Sequence, residues 1–213
     1  MRVNQSQTTK SDWNVHDVVI LDASGSMDGG KYRAAKAGVQ QELEQCKELG
    51  FSFSFIEFVQ SDNIITHCLK SNPNKVSLRF NGATGYNTPL YKVIVDTIYS
   101  LINTKQDNDK FLIKILTDGQ SNSGGTTAKE CYQAIKKAEG LGFTVTFVAG
   151  KYDIEYIIRQ IGIDESNTQT HDNTEQSITD AYVLTRSATV NYMKRLDEGE
   201  DVTLGFYSKI LND

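Results

Sequence analysis

Val18-Val19-Ile20-Leu21-Asp22-Ala23-Ser24-Gly25-Ser26-Met27 is the stretch whose reading decides the fold. Four consecutive aliphatic residues, three of them β-branched, read as a strand covered on both faces, the pattern of a parallel sheet in an α/β domain. Asp22 stands at the C-terminal end of that strand, the edge at which open α/β sheets collect their ligand sites. The Asp-x-Ser-x-Ser spacing then sets three small oxygen donors on one turn. Gly25 lets the backbone fold sharply enough for Ser24 and Ser26 to point the same way. Hard divalent cations such as Mg2+ take oxygen ligands of this kind at about 2 Å in an octahedron.

Asp22-Ala23-Ser24-Gly25-Ser26-Met27 resembles the first motif of the von Willebrand factor type A domain, at its metal-ion-dependent adhesion site. Two further elements of that family have counterparts in the right order. Thr88, in Gly85-Tyr86-Asn87-Thr88-Pro89-Leu90, resembles the Thr-Pro-Leu form of many bacterial members, and Asp118, in Ile115-Leu116-Thr117-Asp118-Gly119, resembles the second carboxylate. The likeness runs over roughly residues 15–197. It implies a Rossmann-like three-layer α/β/α fold with a mostly parallel sheet, one short antiparallel edge strand and helices on both faces. It also implies that Ser24, Ser26 and Thr88 offer hydroxyls to a Mg2+ ion, with Mn2+ or Ca2+ as substitutes, while Asp22 and Asp118 bind directly or through water. Thr84 is a competing hydroxyl. With few charged groups on the ion, it keeps its electrophilicity and can draw an anionic sixth ligand, in this family commonly an Asp or Glu of a partner protein.

Working outward, 213 residues with 38% hydrophobic content are enough for one α/β domain with a full core. A net charge of −5 and the lack of any dense Lys/Arg run argue against a nucleic-acid surface. Three cysteines, Cys46, Cys68 and Cys131, are an odd number without metal-ligand spacing, which fits a reducing compartment and a core-filling role. Met1 to Asn14 is polar and carries no apolar stretch of signal-peptide length, and no later run is long enough to cross a bilayer. The expectation is a cytoplasmic protein without membrane partners. Its oligomeric state is not legible.

Residues 1–14 read as a polar arm, with Trp13 marking where it docks; 15–197 form the domain; and 198–213 form a tail or an extra strand. Tyr32, Ala35, Val39, Leu43, Cys46 and Leu49 recur at helical spacing, with Glu42, Glu44, Lys47 and Glu48 facing out and Gly50 as the stop. Phe51 to Val59 reads as a strand and Ile64 to Leu69 as its hairpin partner at the sheet edge. Thr88 and Pro89 read as the N-cap and first residue of a helix with Leu90, Ile94, Ile98 and Leu101 inward. Phe111 to Leu116 and Phe143 to Val148 are further strands. Between them Thr127-x-x-Glu130 is a capping box, opening a helix that buries Cys131, Ile135, Ala138 and Leu141. Asp153 is expected to cap a short helix, and Asn173-x-x-Gln176 to open a long last one.

Three function classes compete. The first is a Mg2+-dependent protein-binding module, not an enzyme. The second keeps the fold but makes the metal structural, in an assembly subunit or a partner of an ATPase chaperone. The third is a metal-dependent hydrolase. A haloacid dehalogenase-type phosphatase needs a second carboxylate where this chain has Ser24, and neither a phosphate-binding Gly-Lys-Ser/Thr loop nor a Gly-x-Ser-x-Gly elbow is present. Asp28 and Tyr86 flank the motifs, either lining a contact surface or serving as turn residues. His16, His67 and His171 are isolated and read as structural, and neighbouring His67 and Cys68 would face opposite sides of a strand.

Overall fold

The computed structural model describes residues 13–60 and 63–208. The polar arm assigned to residues 1–14 therefore lies outside the described residues, apart from Trp13, whose ring lies under the Lys110 ammonium, and Asn14, which opens the first strand. Six strands and five helices follow in order: β1 (Asn14–Asp22), α1 (Gly30–Leu49), β2 (Ser52–Gln60), β3 (Asn63–Ser71), α2 (Leu90–Asn103), β4 (Asp109–Leu116), α3 (Ala128–Gly140), β5 (Thr144–Gly150), α4 (Ile154–Ile161), β6 (Thr168–His171) and α5 (Glu175–Asp197).

The strands form one sheet in the order β3-β2-β1-β4-β5-β6, parallel throughout except for β3, which pairs antiparallel with β2 at the edge. Because side chains alternate across a strand, β1 feeds two separate cores. Val15, Val19 and Leu21 pack with Val39 and Leu43 of α1 and with Ile178, Tyr182 and Tyr192 of α5. Val18 and Ile20 pack with Leu90, Ile94 and Ile98 of α2, Cys131 and Ile135 of α3 and Ile157 of α4. The continuous apolar run at the start of the chain is thus the signature of a sheet covered on both faces. Strand order reverses beside β1, so the connections leaving β1 and β4 diverge there and open a crevice at the C-terminal edge of the sheet.

Several local expectations shift by one step of chemistry. Helix α2 begins at Leu90, with Pro89 in the cap position and no side-chain cap from Thr88, because the Thr88 backbone is tied elsewhere. Helix α5 is opened by Thr174 and Ser177, which cap each other's ends, while Asn173 takes a left-handed φ of 58° just before them. Leu141 lies beyond the last turn of α3 and is exposed. Glu42, expected among the outward charges of α1, is wholly buried because it pairs with Lys114 of β4. Strand β6 has no counterpart in the sequence reading. Past α5, Val202, Phe206 and Tyr207 are buried in the α1/α5 core, and the Arg195 guanidinium gathers the carbonyls of Asp201, Leu204 and Gly205.

Candidate metal centre

At the sheet's C-terminal edge, β1 outruns its neighbour: Leu21 lies opposite Leu116, the last rung of β4, and Asp22 projects one residue further. The Asp22 carboxylate is fully buried and held by two neutral donors. Its Oδ1 accepts the Ser24 amide at 2.8 Å and its Oδ2 accepts the Thr117 hydroxyl at 2.6 Å. Burial pushes its pKa up to about 6; these hydrogen bonds pull the other way, and the Asp118 charge adds to the rise.

Beyond Asp22 the chain passes through extended Ser24 into a single 3-10 turn, Gly25–Met27, plugged into the core by Met27. The Ser26 hydroxyl donates to Asp118 Oδ1 at 2.6 Å. Ser24 Oγ lies 3.1 Å from Ser26 Oγ, and since the one Ser26 proton is committed to Asp118, Ser24 is the donor of that contact. Lone pairs of both hydroxyls remain available. The other oxygen of Asp118 forms an ion pair with the ammonium of Lys31, the second residue of α1.

Thr88 arrives on a third loop, stitched to the other two through the backbone. Thr84 N–H donates to Ala23 O at 3.1 Å and Gly25 N–H to Gly85 O at 3.2 Å. Thr88 donates its amide to Asn122 Oδ1 at 2.6 Å and accepts at its carbonyl from Asn122 N–H at 3.0 Å and from the Ser121 hydroxyl. Two glycines make this approach possible. A Cβ on Gly25 would lie 2.6 Å from Gly85 O, and Gly85, at φ 113°, would bring its own Cβ within 2.5 Å of Val59 O.

The structure therefore puts Asp22, Ser24, Ser26 and Asp118 in one hydrogen-bonded chain and ties the Thr88 loop against it. Thr84 takes part through its backbone, and Asp28 is exposed, its carboxylate bonding the Gly29 amide. Tyr86 is fully exposed. Three participants were not anticipated: Thr117, Asn122 and Lys31. Thr117 could have been suspected from its place between the β4 run and Asp118. Behind the site, His171 at the end of β6 accepts the Asn173 amide at Nδ1, so Nε2 carries the proton and donates to Thr117 O at 3.2 Å. Burial lowers the pKa of His171, consistent with a neutral ring.

Among the described residues no three His, Cys, Asp or Glu side chains cluster as a metal site; the oxygens that join Asp118 are the hydroxyls of Ser24 and Ser26. The donor set fits a hard divalent cation: all oxygen, two carboxylates, and one of these buried with no cationic partner among the described residues.

No protein-family model matches the sequence, and no curated protein matches it. Solved structures do share its fold. Proximal thread matrix protein 1 from the mussel byssus superposes with a TM-score of 0.61 at 18% identity, over 81% of this chain and 47% of that one. The ArnB paralog VWA2 from Sulfolobus acidocaldarius superposes with a TM-score of 0.56 at 18% identity, over 83% and 46%. The fold is that of a von Willebrand factor type A domain. A further structure of the mussel protein, with a zinc-occupied MIDAS motif, superposes on this chain with a TM-score of 0.51 at 20% identity, over 81% and 47%. This chain spans less than half the length of these relatives in fold.

Proposed function

We propose that this type A domain is a divalent-cation-dependent protein-binding module, with Mg2+ held by Asp22, Ser24, Ser26, Thr88 and Asp118. The observation that carries the reading is the joining of three chain-distant loops into one oxygen-lined site around a buried carboxylate that, among the described residues, hydrogen-bonds only to neutral groups. A bound Mg2+ would supply an electrophilic vertex for a partner's Asp or Glu carboxylate. The protein's own part is positional. Thr117 and the Ser24 amide fix the Asp22 carboxylate, Ser26 and Asp118 fix one another, and Asn122 fixes the Thr88 loop. The reading makes the site a binding rather than a catalytic one; His171, whose ring touches Thr117, is engaged through both nitrogens and is not placed to act as a base. Among the described residues no helix is long and apolar enough to cross a membrane, and the free thiols of Cys46, Cys68 and Cys131 support a reducing, cytoplasmic setting.

Because Mg2+ binds the folded state, a tenfold excess over its dissociation constant should stabilise the domain by about 1.4 kcal/mol, read as a rise in Tm. Ser26→Ala or Asp118→Ala should remove that rise while leaving the circular dichroism of the cation-free protein unchanged. Affinity capture in Mg2+ against capture in chelator should then yield a partner only in the first, lost again when that partner's contacting carboxylate is neutralised. A domain whose Tm ignores both Mg2+ and Mn2+ would overturn the proposal.

A further inference from the structure

Lys31 occupies an electrostatically awkward position. It is in the first turn of α1, where the unpaired amides of a helix N-terminus disfavour positive charge. Its side chain nevertheless turns toward the sheet edge and pairs with Asp118 Oδ2, while Asp118 Oδ1 takes the Ser26 hydroxyl, so both oxygens of a side chain only 2% exposed are engaged. Among the described residues this is the only ion pair made by either site carboxylate. Lys31 itself is 21% exposed along its side chain, enough for the ammonium to leave toward solvent on its flexible stem.

We propose that the Lys31 ammonium is a displaceable internal counter-ion: it neutralises Asp118 while no divalent cation is bound and withdraws when one binds. The inference rests on the cation-site reading above and adds its regulation. A unit positive charge paired with one ligand carboxylate repels a doubly charged ion a few ångströms away and competes for the same oxygen. Lys31 therefore sets the cation concentration at which the site loads, and loading swings its side chain out toward solvent.

The test is isothermal titration of the full chain with MgCl2 and MnCl2, in parallel with Tm, for the wild type, Lys31→Gln, Lys31→Arg and the double variant Lys31→Gln/Ser26→Ala. Lys31→Gln should bind about tenfold more tightly or better. Lys31→Arg, which keeps the charge, should stay near the wild type and guards against an effect of altered folding. The double variant should bind nothing. Equal affinity of the wild type and Lys31→Gln overturns the role of Lys31 and leaves the cation site standing. Binding by Lys31→Gln alone supports that role and overturns cation dependence in the natural chain. Binding by neither overturns both.

Discussion

Two clusters in this molecule have the same formal composition, two carboxylates and one lysine, and opposite construction. In the interior, Lys114 of β4 is wrapped by Asp17 of β1 at 2.8 Å and by Glu42 of α1, with all three side chains buried and the Cys46 thiol also directed at Asp17. Burial alone would lower Lys114, but the two carboxylates outweigh it and hold its pKa above the ordinary lysine range. Burial likewise pushes Glu42 up, against the pull of Lys114, since one ammonium cannot neutralise two carboxylates. At the sheet edge, Lys31 pairs, among the described residues, with Asp118 alone, and Asp22 is left to neutral donors. The interior cluster is closed on itself and forms part of the architecture. The edge cluster leaves one carboxylate with no cationic contact among the described residues and keeps a cation within reach of solvent, an arrangement that suits exchange.

The comparison can be broken at its stronger end first. Removing Lys114 as Lys114→Met strands two buried carboxylates, and urea unfolding should show a loss of about 3–5 kcal/mol. Lys31→Gln, at the partly exposed pair, should cost about 1 kcal/mol or less in the absence of divalent cations. Equal losses would mean the two clusters do not differ as described.

A smaller effect sharpens the interior half. Glu42 is raised in the folded state to about 7, so its stabilising contribution is fully present below its ordinary value near 4.5 and is lost as pH rises through about 7. Glu42→Gln has no such loss and leaves Lys114 with Asp17 as a single partner. Its stability relative to the wild type should therefore increase from pH 5 to pH 8, by roughly 1 kcal/mol or more. The buried imidazoles of His16 and His171 are lowered and slope the opposite way, but they cancel in this difference. A pH-independent difference would place the excess proton elsewhere.

The last test is read at the edge on affinity. Gly25→Ala drives a methyl group to 2.6 Å from the Gly85 carbonyl oxygen and should lever the Thr88 loop away, weakening Mg2+ affinity severalfold. Gly119→Ala, where a Cβ meets nothing within 4 Å, should leave that affinity intact.

What the sequence disclosed about the fold and site follows from the range of the interactions involved. The buried run Val18 to Leu21, the helical stripe from Tyr32 to Cys46 and the capping box at Thr127 are local patterns, and each is found where its periodicity puts it. The set Asp22, Ser24, Ser26, Thr88 and Asp118 came from the resemblance of three motifs to a known family, and the placement of their loops at one sheet edge from the alternation of strand and helix. Glu42 was misread because a buried charge is visible only with its partner, and Lys114 lies 72 residues away. Lys31 escaped notice for the same reason: a lysine in a first helical turn reads as solvated until Asp118 is brought beside it. Strand β6 was missed because Thr168 to His171 is polar and buries only its last residue, leaving no alternation to detect. The opening of α5 was misassigned by one residue because Asn173-x-x-Gln176 and Thr174-x-x-Ser177 both satisfy the capping pattern, and only the φ of Asn173 decides between them.

The segment past α5 bears on how this domain can be trimmed. Asn167 takes the Thr203 carbonyl and the Phe206 amide, Ser166 takes the Tyr207 amide, and the Tyr207 hydroxyl meets Thr185 inside the core. A recombinant version cut after the last helix would lose two aromatic plugs and bare the underside of that helix to water, so the shortest sound clone includes Tyr207.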